Sequence, residues 1–219
     1  MRLFYLEFAC MFIKVKICGI TNIEDARISV DYGADAIGFV FYPQSSRYIS
    51  PDEAEQISTK MPPFVSIVGV FVDAPFEFIK EVKEKVKLDV IQLHGNESPD
   101  FCKMFDCKVI KAFRVQNAET LDICKNYPNV SWLLDAFNPD LVGGTGKVFD
   151  WQIALKAQLL NPRIILSGGL TAENVADAIQ KVKPMAVDVS SGVEKSPGKK
   201  DHQKVKAFIK ATKLALIES

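Results

Sequence analysis

Moving a proton on and off a small substrate needs a base and an acid on opposite sides of it, and the chain offers a candidate for each. Cys18 ends Val15-Lys16-Ile17-Cys18, which alternates as a strand does, and Gly19 follows where the backbone must turn. Thr21 or Asn22 can then cap a helix beginning near Ile23. A thiol at such a strand-to-helix turn is expected to be exposed, near helix N-terminal amides that favour thiolate. The alternative is a small apolar residue that merely closes a strand. Asp135 ends Trp132-Leu133-Leu134-Asp135, and apolar neighbours there would favour the protonated acid. A capping or salt-bridged aspartate is the plainer reading.

Other polar residues fall at comparable places. Ser167-Gly168-Gly169-Leu170-Thr171 and Ser190-Ser191-Gly192-Val193-Glu194 put glycines just after apolar runs, where free backbone amides and a helix start can take a phosphate. Tight turns would use glycine too. Gly143-Gly144-Thr145-Gly146-Lys147 reads as a mobile lid or phosphate-side loop, and it lacks the spacing of a Walker A loop. Arg47, after Ser45-Ser46, offers a planar fork for a carboxylate or phosphate, unless it is an ordinary surface arginine. His94, in Gln92-Leu93-His94-Gly95, either orients a polar group or serves the structure. Asp73, Arg114 and Asp188 read equally well as interior partners.

These residues need a scaffold that brings them together, and the periodicity predicts one. Strand candidates are Lys14–Ile20, Asp35–Tyr42, Val65–Val72, Asp89–His94, Lys108–Val115, Ser131–Phe137, Arg163–Ser167 and Ala186–Ser190. Many are continuously apolar, as strands buried on both faces must be. Helix-start signals lie between them at Ser50-Pro51-Asp52-Glu53, Ala74-Pro75, Ser98-Pro99-Asp100, Asn117-Ala118-Glu119 and Thr171-Ala172-Glu173. Eight strand-helix units predict an α/β protein, a single (β/α)8 TIM barrel whose chemistry collects at the C-terminal strand ends. A doubly wound sheet would use five or six strands with a glycine-rich loop after the first. Here the glycines concentrate late. The expected division is an N-terminal extension at 1–12 and a barrel catalytic domain at 13–219.

Composition narrows the partners. Of the 219 residues 48% are hydrophobic, and Lys+Arg balance Asp+Glu at 27 each, so neither nucleic acid nor an anionic membrane is the expected partner. Five cysteines without paired CxxC spacing read as free thiols of a reducing cytoplasm. With His94 and His202 alone as histidines, a histidine-built metal site is not expected.

From about Lys14 onward the chain resembles the phosphoribosylanthranilate isomerase family of tryptophan biosynthesis. The resemblance is carried by Lys16-Ile17-Cys18-Gly19-Ile20-Thr21, Gly38-Phe39-Val40-Phe41, Ser45-Ser46-Arg47, Gln92-Leu93-His94-Gly95, Leu134-Asp135-Ala136, Gly143-Gly144-Thr145-Gly146, Ser167-Gly168-Gly169-Leu170 and Asp188-Val189-Ser190-Ser191-Gly192-Val193-Glu194, in that order. It implies a cofactor-free Amadori rearrangement of a phosphosugar by a monomer or homodimer. Cys18 would be the base at C2′, Asp135 the acid that opens the furanose, and Arg47 the holder of the anthranilate carboxylate. The loops around Gly144, Gly169 and Gly192 would take the phosphate. Two features depart from the family pattern: Met1–Cys10 precedes its usual start, and Ser46 stands where relatives often have proline. Other phosphosugar barrels would be expected to differ at the strand ends. An indole-glycerol-phosphate synthase would carry lysine and glutamate there, and a pentose-phosphate epimerase metal-binding histidines and aspartates. A barrel that only binds a phosphorylated ligand would be expected to lose the acid or the base.

Overall fold

A computed structural model of the chain describes residues 13–115, 119–135 and 151–215. The expected extension at 1–12 and the glycine loop containing Gly144 lie outside the described residues. Within them, eight parallel strands close into a barrel in sequence order, β1 pairing with both β2 and β8. The strands are β1 Lys14–Cys18, β2 Ala36–Val40, β3 Ser66–Phe71, β4 Val90–Leu93, β5 Lys108–Arg114, β6 Ser131–Asp135, β7 Ile164–Ser167 and β8 Ala186–Val189. The helices are α1 Ile23–Asp31, α2 Pro51–Ser58, α3 Phe76–Val86, α4 Pro99–Lys103, α5 Glu119–Cys124, α6 Trp151–Leu160, α7 Val175–Val182 and α8 His202–Leu214.

Strand parity divides the apolar side chains between two layers. Val68, Val90, Ile110, Ala112, Leu133, Ile165 and Ala186 fill the barrel interior. Residues of the other parity, such as Val15, Ile17, Phe39, Phe71, Ile91, Trp132, Leu134 and Val187, join the larger core under the helices. That is why these strands are apolar on both faces. Lys111 departs from the pattern: it lies in the outer layer, 2% exposed, 3.2 Å from Glu97, and donates to the carbonyls of Gly95 and Ala112.

The helices begin where short polar side chains can satisfy their first amides. Asn22 accepts from the Asp25 amide, and Ser50 and Glu53 form a reciprocal capping box with Pro51 in the first turn. On α3, Ile79, Val82 and Val86 are buried while the charged residues face out. Helix α7 starts at Val175, later than Thr171-Ala172-Glu173 predicts, because Asn174 accepts from the Thr171 amide and donates to the Gly169 carbonyl, holding a turn ahead of the helix.

One element is absent from the sequence reading. After β8 the chain makes a 3₁₀ turn, Ser191–Val193, then a small antiparallel hairpin of β9 Glu194–Ser196 and β10 Lys199–Lys200. It is fastened to the start of the chain's first βα unit: Thr21 Oγ1 donates to the Gly198 carbonyl, and the Lys200 amide donates to Asp25 Oδ2.

Candidate active site

At the C-terminal ends of the strands lies a cavity of about 380 Å³. Cys18, Arg47, His94, Asp135, Gly168, Gly169, Ser191 and Gly192 all line it, so eight of the nine residues singled out in the sequence converge there. The ninth, Gly144, lies outside the described residues. Cys18 enters from β1 and Asp135 from β6, three strands apart by the shorter way round.

The thiol corrects one expectation. Cys18 is 7% exposed rather than open to solvent, and burial pushes its pKa up. The ammonium groups of Lys16 and Lys200 pull against that rise without cancelling it, while Asp188 adds to it. Its seat is made by two glycines. A Cβ on Gly38 would lie 2.9 Å from Cys18 Sγ and 3.1 Å from Lys16 Cε, so only glycine leaves room for both. Gly19 has φ +76°, and its amide and that of Ile20 both donate to the Gly38 carbonyl at 2.9 Å, ending β1 directly after the thiol.

Beneath the thiol, Lys16 Nζ and Asp188 Oδ1 form a 2.8 Å pair whose side chains are 5% and 6% exposed. Burial alone would lower the lysine pKa, but Asp188 and Cys18 raise it to about 12. Asp188 also accepts from Ser167 Oγ at 3.2 Å. It is the interior partner among the three residues left open by the sequence. Asp73, held at φ +48°, instead accepts from the Asn96 amide at 2.6 Å, and Arg114 is exposed beside a neighbouring cavity.

Arg47 is not a loose surface arginine. Its Nε and Nη2 donate to the two oxygens of Glu194 at 2.9 and 2.7 Å, and Glu194 Oε1 also accepts from Lys200 Nζ at 2.9 Å. One edge of the guanidinium is therefore fixed by the protein, leaving Nη1 outside this bidentate pair. Burial would raise the Glu194 pKa, yet Arg47 and Lys200 together hold the carboxyl below its usual range. Burial lowers that of Lys200, which is fully enclosed and reaches the carbonyl of Cys18 at 2.5 Å.

On the far wall, His94 Nε2 stands 3.4 Å from Asp135 Oδ2, their side chains 24% and 18% exposed. Of the apolar residues beside Asp135 in sequence, Trp132 and Leu134 point into the outer layer and Leu133 into the barrel interior. In the loop after β7, Gly169 has φ +66° with open space in front of it. Ser190 Oγ lines the same cavity, buried and with no hydrogen-bond partner among the described residues.

The cavity thus joins a thiol and a carboxyl from β1 and β6 with the glycine loops after β7 and β8, and comparisons with known proteins give the family. The sequence model of the N-(5′-phosphoribosyl)anthranilate (PRA) isomerase family matches residues 15–211. The chain belongs to this family. An N-(5′-phosphoribosyl)anthranilate isomerase of Trichlorobacter lovleyi is 52% identical over 204 residues, covering 93% of this chain and all of the relative. The crystal structure of phosphoribosyl anthranilate isomerase from Thermotoga maritima superposes with a TM-score of 0.88 at 51% identity, covering 92% of this chain and 99% of that one. A second solved phosphoribosyl anthranilate isomerase, at TM-score 0.85 and 48% identity over 92% of this chain and 99% of its own, is a complex with reduced 1-(o-carboxyphenylamino)-1-deoxyribulose 5-phosphate.

Several polar residues in or beside this candidate site escaped the sequence reading as site residues: Lys16, Gln92, Glu194 and Lys200. For two of them a signal existed. Lys16 and Gln92 each stand two residues before a proposed site residue, and strand period places them on its face. Glu194 and Lys200 gave no such signal, since their partners lie up to 182 residues away.

Proposed function

We propose that the chain is an isomerase converting N-(5′-phosphoribosyl)anthranilate to 1-(2-carboxyphenylamino)-1-deoxyribulose 5-phosphate, a step of L-tryptophan biosynthesis. The observation that carries this reading is the placement of Cys18 and Asp135 on opposing strands of one cavity flanked by the loops at Gly168, Gly169, Ser191 and Gly192. Asp135 protonates the ring oxygen as the C1′–O bond breaks and the anilino nitrogen donates its lone pair, giving an open-chain iminium. The Cys18 thiolate removes the C2′ proton, and those electrons run to the nitrogen, leaving an enolamine. Return of a proton to C1′ and loss of the C2′ hydroxyl proton yield the ketone. The substrate's own nitrogen is the electron sink, so these steps balance without a metal or hydride carrier.

In this reading Arg47, braced by Glu194, presents its remaining N–H groups to the anthranilate carboxylate. His94 steadies the acid, and the two glycine loops with the Gly144 loop bind the phosphate. The barrel from residue 13 onward is the catalytic unit, acting in the cytoplasm as monomer or homodimer. Among the described residues no helix is long and apolar enough to cross a membrane. Purified protein given freshly made phosphoribosylanthranilate should form the ketose product, measured by chromatography. No product, or equal product from a Cys18→Ser, Asp135→Asn double variant, would end the proposal.

A further inference from the structure

Gln92 stands two residues before His94, so both side chains face the barrel interior. It is 1% exposed, and its Nε2 lies 3.2 Å from His94 Nδ1. On the other edge of the ring, His94 Nε2 faces Asp135 Oδ2 at 3.4 Å. A neutral imidazole carries one N–H, and the amide nitrogen can only donate. With that nitrogen against Nδ1, Nδ1 must accept and the ring proton must sit on Nε2, facing the carboxyl. The amide's orientation follows from its burial. Among the described residues Gln92 Oε1 has no hydrogen-bond partner, so the reverse orientation would put the NH₂ group, with its two donors, in the place where one acceptor now goes unmet.

We infer that Gln92 is a positioning residue for the acid, holding His94 in the Nε2–H tautomer. The His94 N–H then engages Oδ2 of Asp135, and the transferable proton is confined to Oδ1. At 3.4 Å the two groups are close enough for this hydrogen bond to form and to tighten around bound substrate. The opposite tautomer would turn a lone pair toward Asp135 and draw the acid's proton to the imidazole instead of to the substrate oxygen. This inference rests on the assignment of Asp135 as the acid made above.

Histidine tautomers are read directly by NMR of ¹⁵N-histidine-labelled protein, and the chain has two histidines, His94 and His202. A His202→Asn variant assigns the signals. The native protein should show a pyridine-like Nδ1 and a pyrrole-like Nε2 for His94. Gln92→Glu offers only acceptors and should move the proton to Nδ1, while Gln92→Met should leave a mixture. Both should lower kcat by about ten-fold, part of what general acid catalysis contributes, with affinity for the reduced product analogue unchanged. A pyrrole-like Nδ1 in the native protein overturns the inference, whether or not the variants fold. So does an unaltered kcat in a variant whose tautomer has changed. The two readings fail separately: an active native enzyme with the wrong tautomer removes the role of Gln92 alone. An inactive native protein with the Nε2–H tautomer removes the isomerase reading, and the role of Gln92 with it.

Discussion

At the scale of single residues, the thiol decides the pH behaviour. Burial raises the Cys18 pKa and the nearby ammonium groups only moderate the rise, so the thiol is mostly protonated near neutrality and, with Cys18 as the base proposed above, kcat/KM should climb as pH increases. Cys18→Ser should abolish that limb and lower turnover by about 10²- to 10⁴-fold, the usual share of general base catalysis. A serine variant retaining the limb would mean that another group is the base. The sign for stability is opposite. The unfolded chain gives up its thiol proton first, so the contribution of Cys18 is full below the ordinary thiol range and declines as pH rises through it. The site residues were legible in the sequence because they occupy strand ends, where position alone implies convergence. What was not legible was their state. Exposure of the thiol was inferred from a local turn, whereas its burial comes from Lys16 beside it and from Val40 and Val70, with which it clusters, and the turn does not determine these.

At the scale of elements, the two glycine loops after β7 and β8 act as one unit. A Cβ on Gly192 would overlap the carbonyl oxygen of Leu170, so the loops touch backbone to backbone. Gly192→Ala should force them apart, costing about 1–3 kcal/mol of stability as overpacking does, and weaken binding of inorganic phosphate. Calorimetric titration of the folded variant measures this, and an unchanged phosphate affinity would detach Gly192 from the phosphate site. The strands themselves were legible to within two residues because their apolar runs end at turn residues, apart from the end of Ser131–Phe137, whose last two residues lie outside the described ones. The overreadings have local causes: Gly19 at φ +76° diverts the chain before Ile20, and β2 stops at Val40 although apolar character runs on through Tyr42. The hairpin of β9 and β10 could not be read. Glu194-Lys195-Ser196 and Lys199-Lys200 have no apolar alternation, and contacts distant in sequence hold them in place.

For the molecule as a whole, that hairpin ties the last strand to the first two. Glu194, with its side chain 5% exposed, links Arg47 beyond β2 to Lys200, and Lys200 reaches the backbone of both Cys18 and Ser190 where β1 meets β8. At its C-terminal end, beyond the β1–β8 ladder and the Lys16–Asp188 pair, the junction that closes the barrel is held by one more buried carboxylate between two cations. Removing it should leave those cations uncompensated, and loss of one partner from such a cluster costs about 3–5 kcal/mol. Glu194→Gln should be destabilised by that order near neutral pH, with the guanidinium of Arg47 no longer fixed. The folded carboxyl titrates below its ordinary value. Its contribution is accordingly full above the unfolded value of about 4.3 and is lost as pH falls through the lower folded one. Urea midpoints of the native and Gln chains should then differ widely near neutrality and draw together as the pH drops below about 4. Curves that stay parallel into strong acid would mean that the carboxylate's charge is not what holds the junction, and that the hairpin is kept in place by its backbone contacts to Thr21 and Asp25.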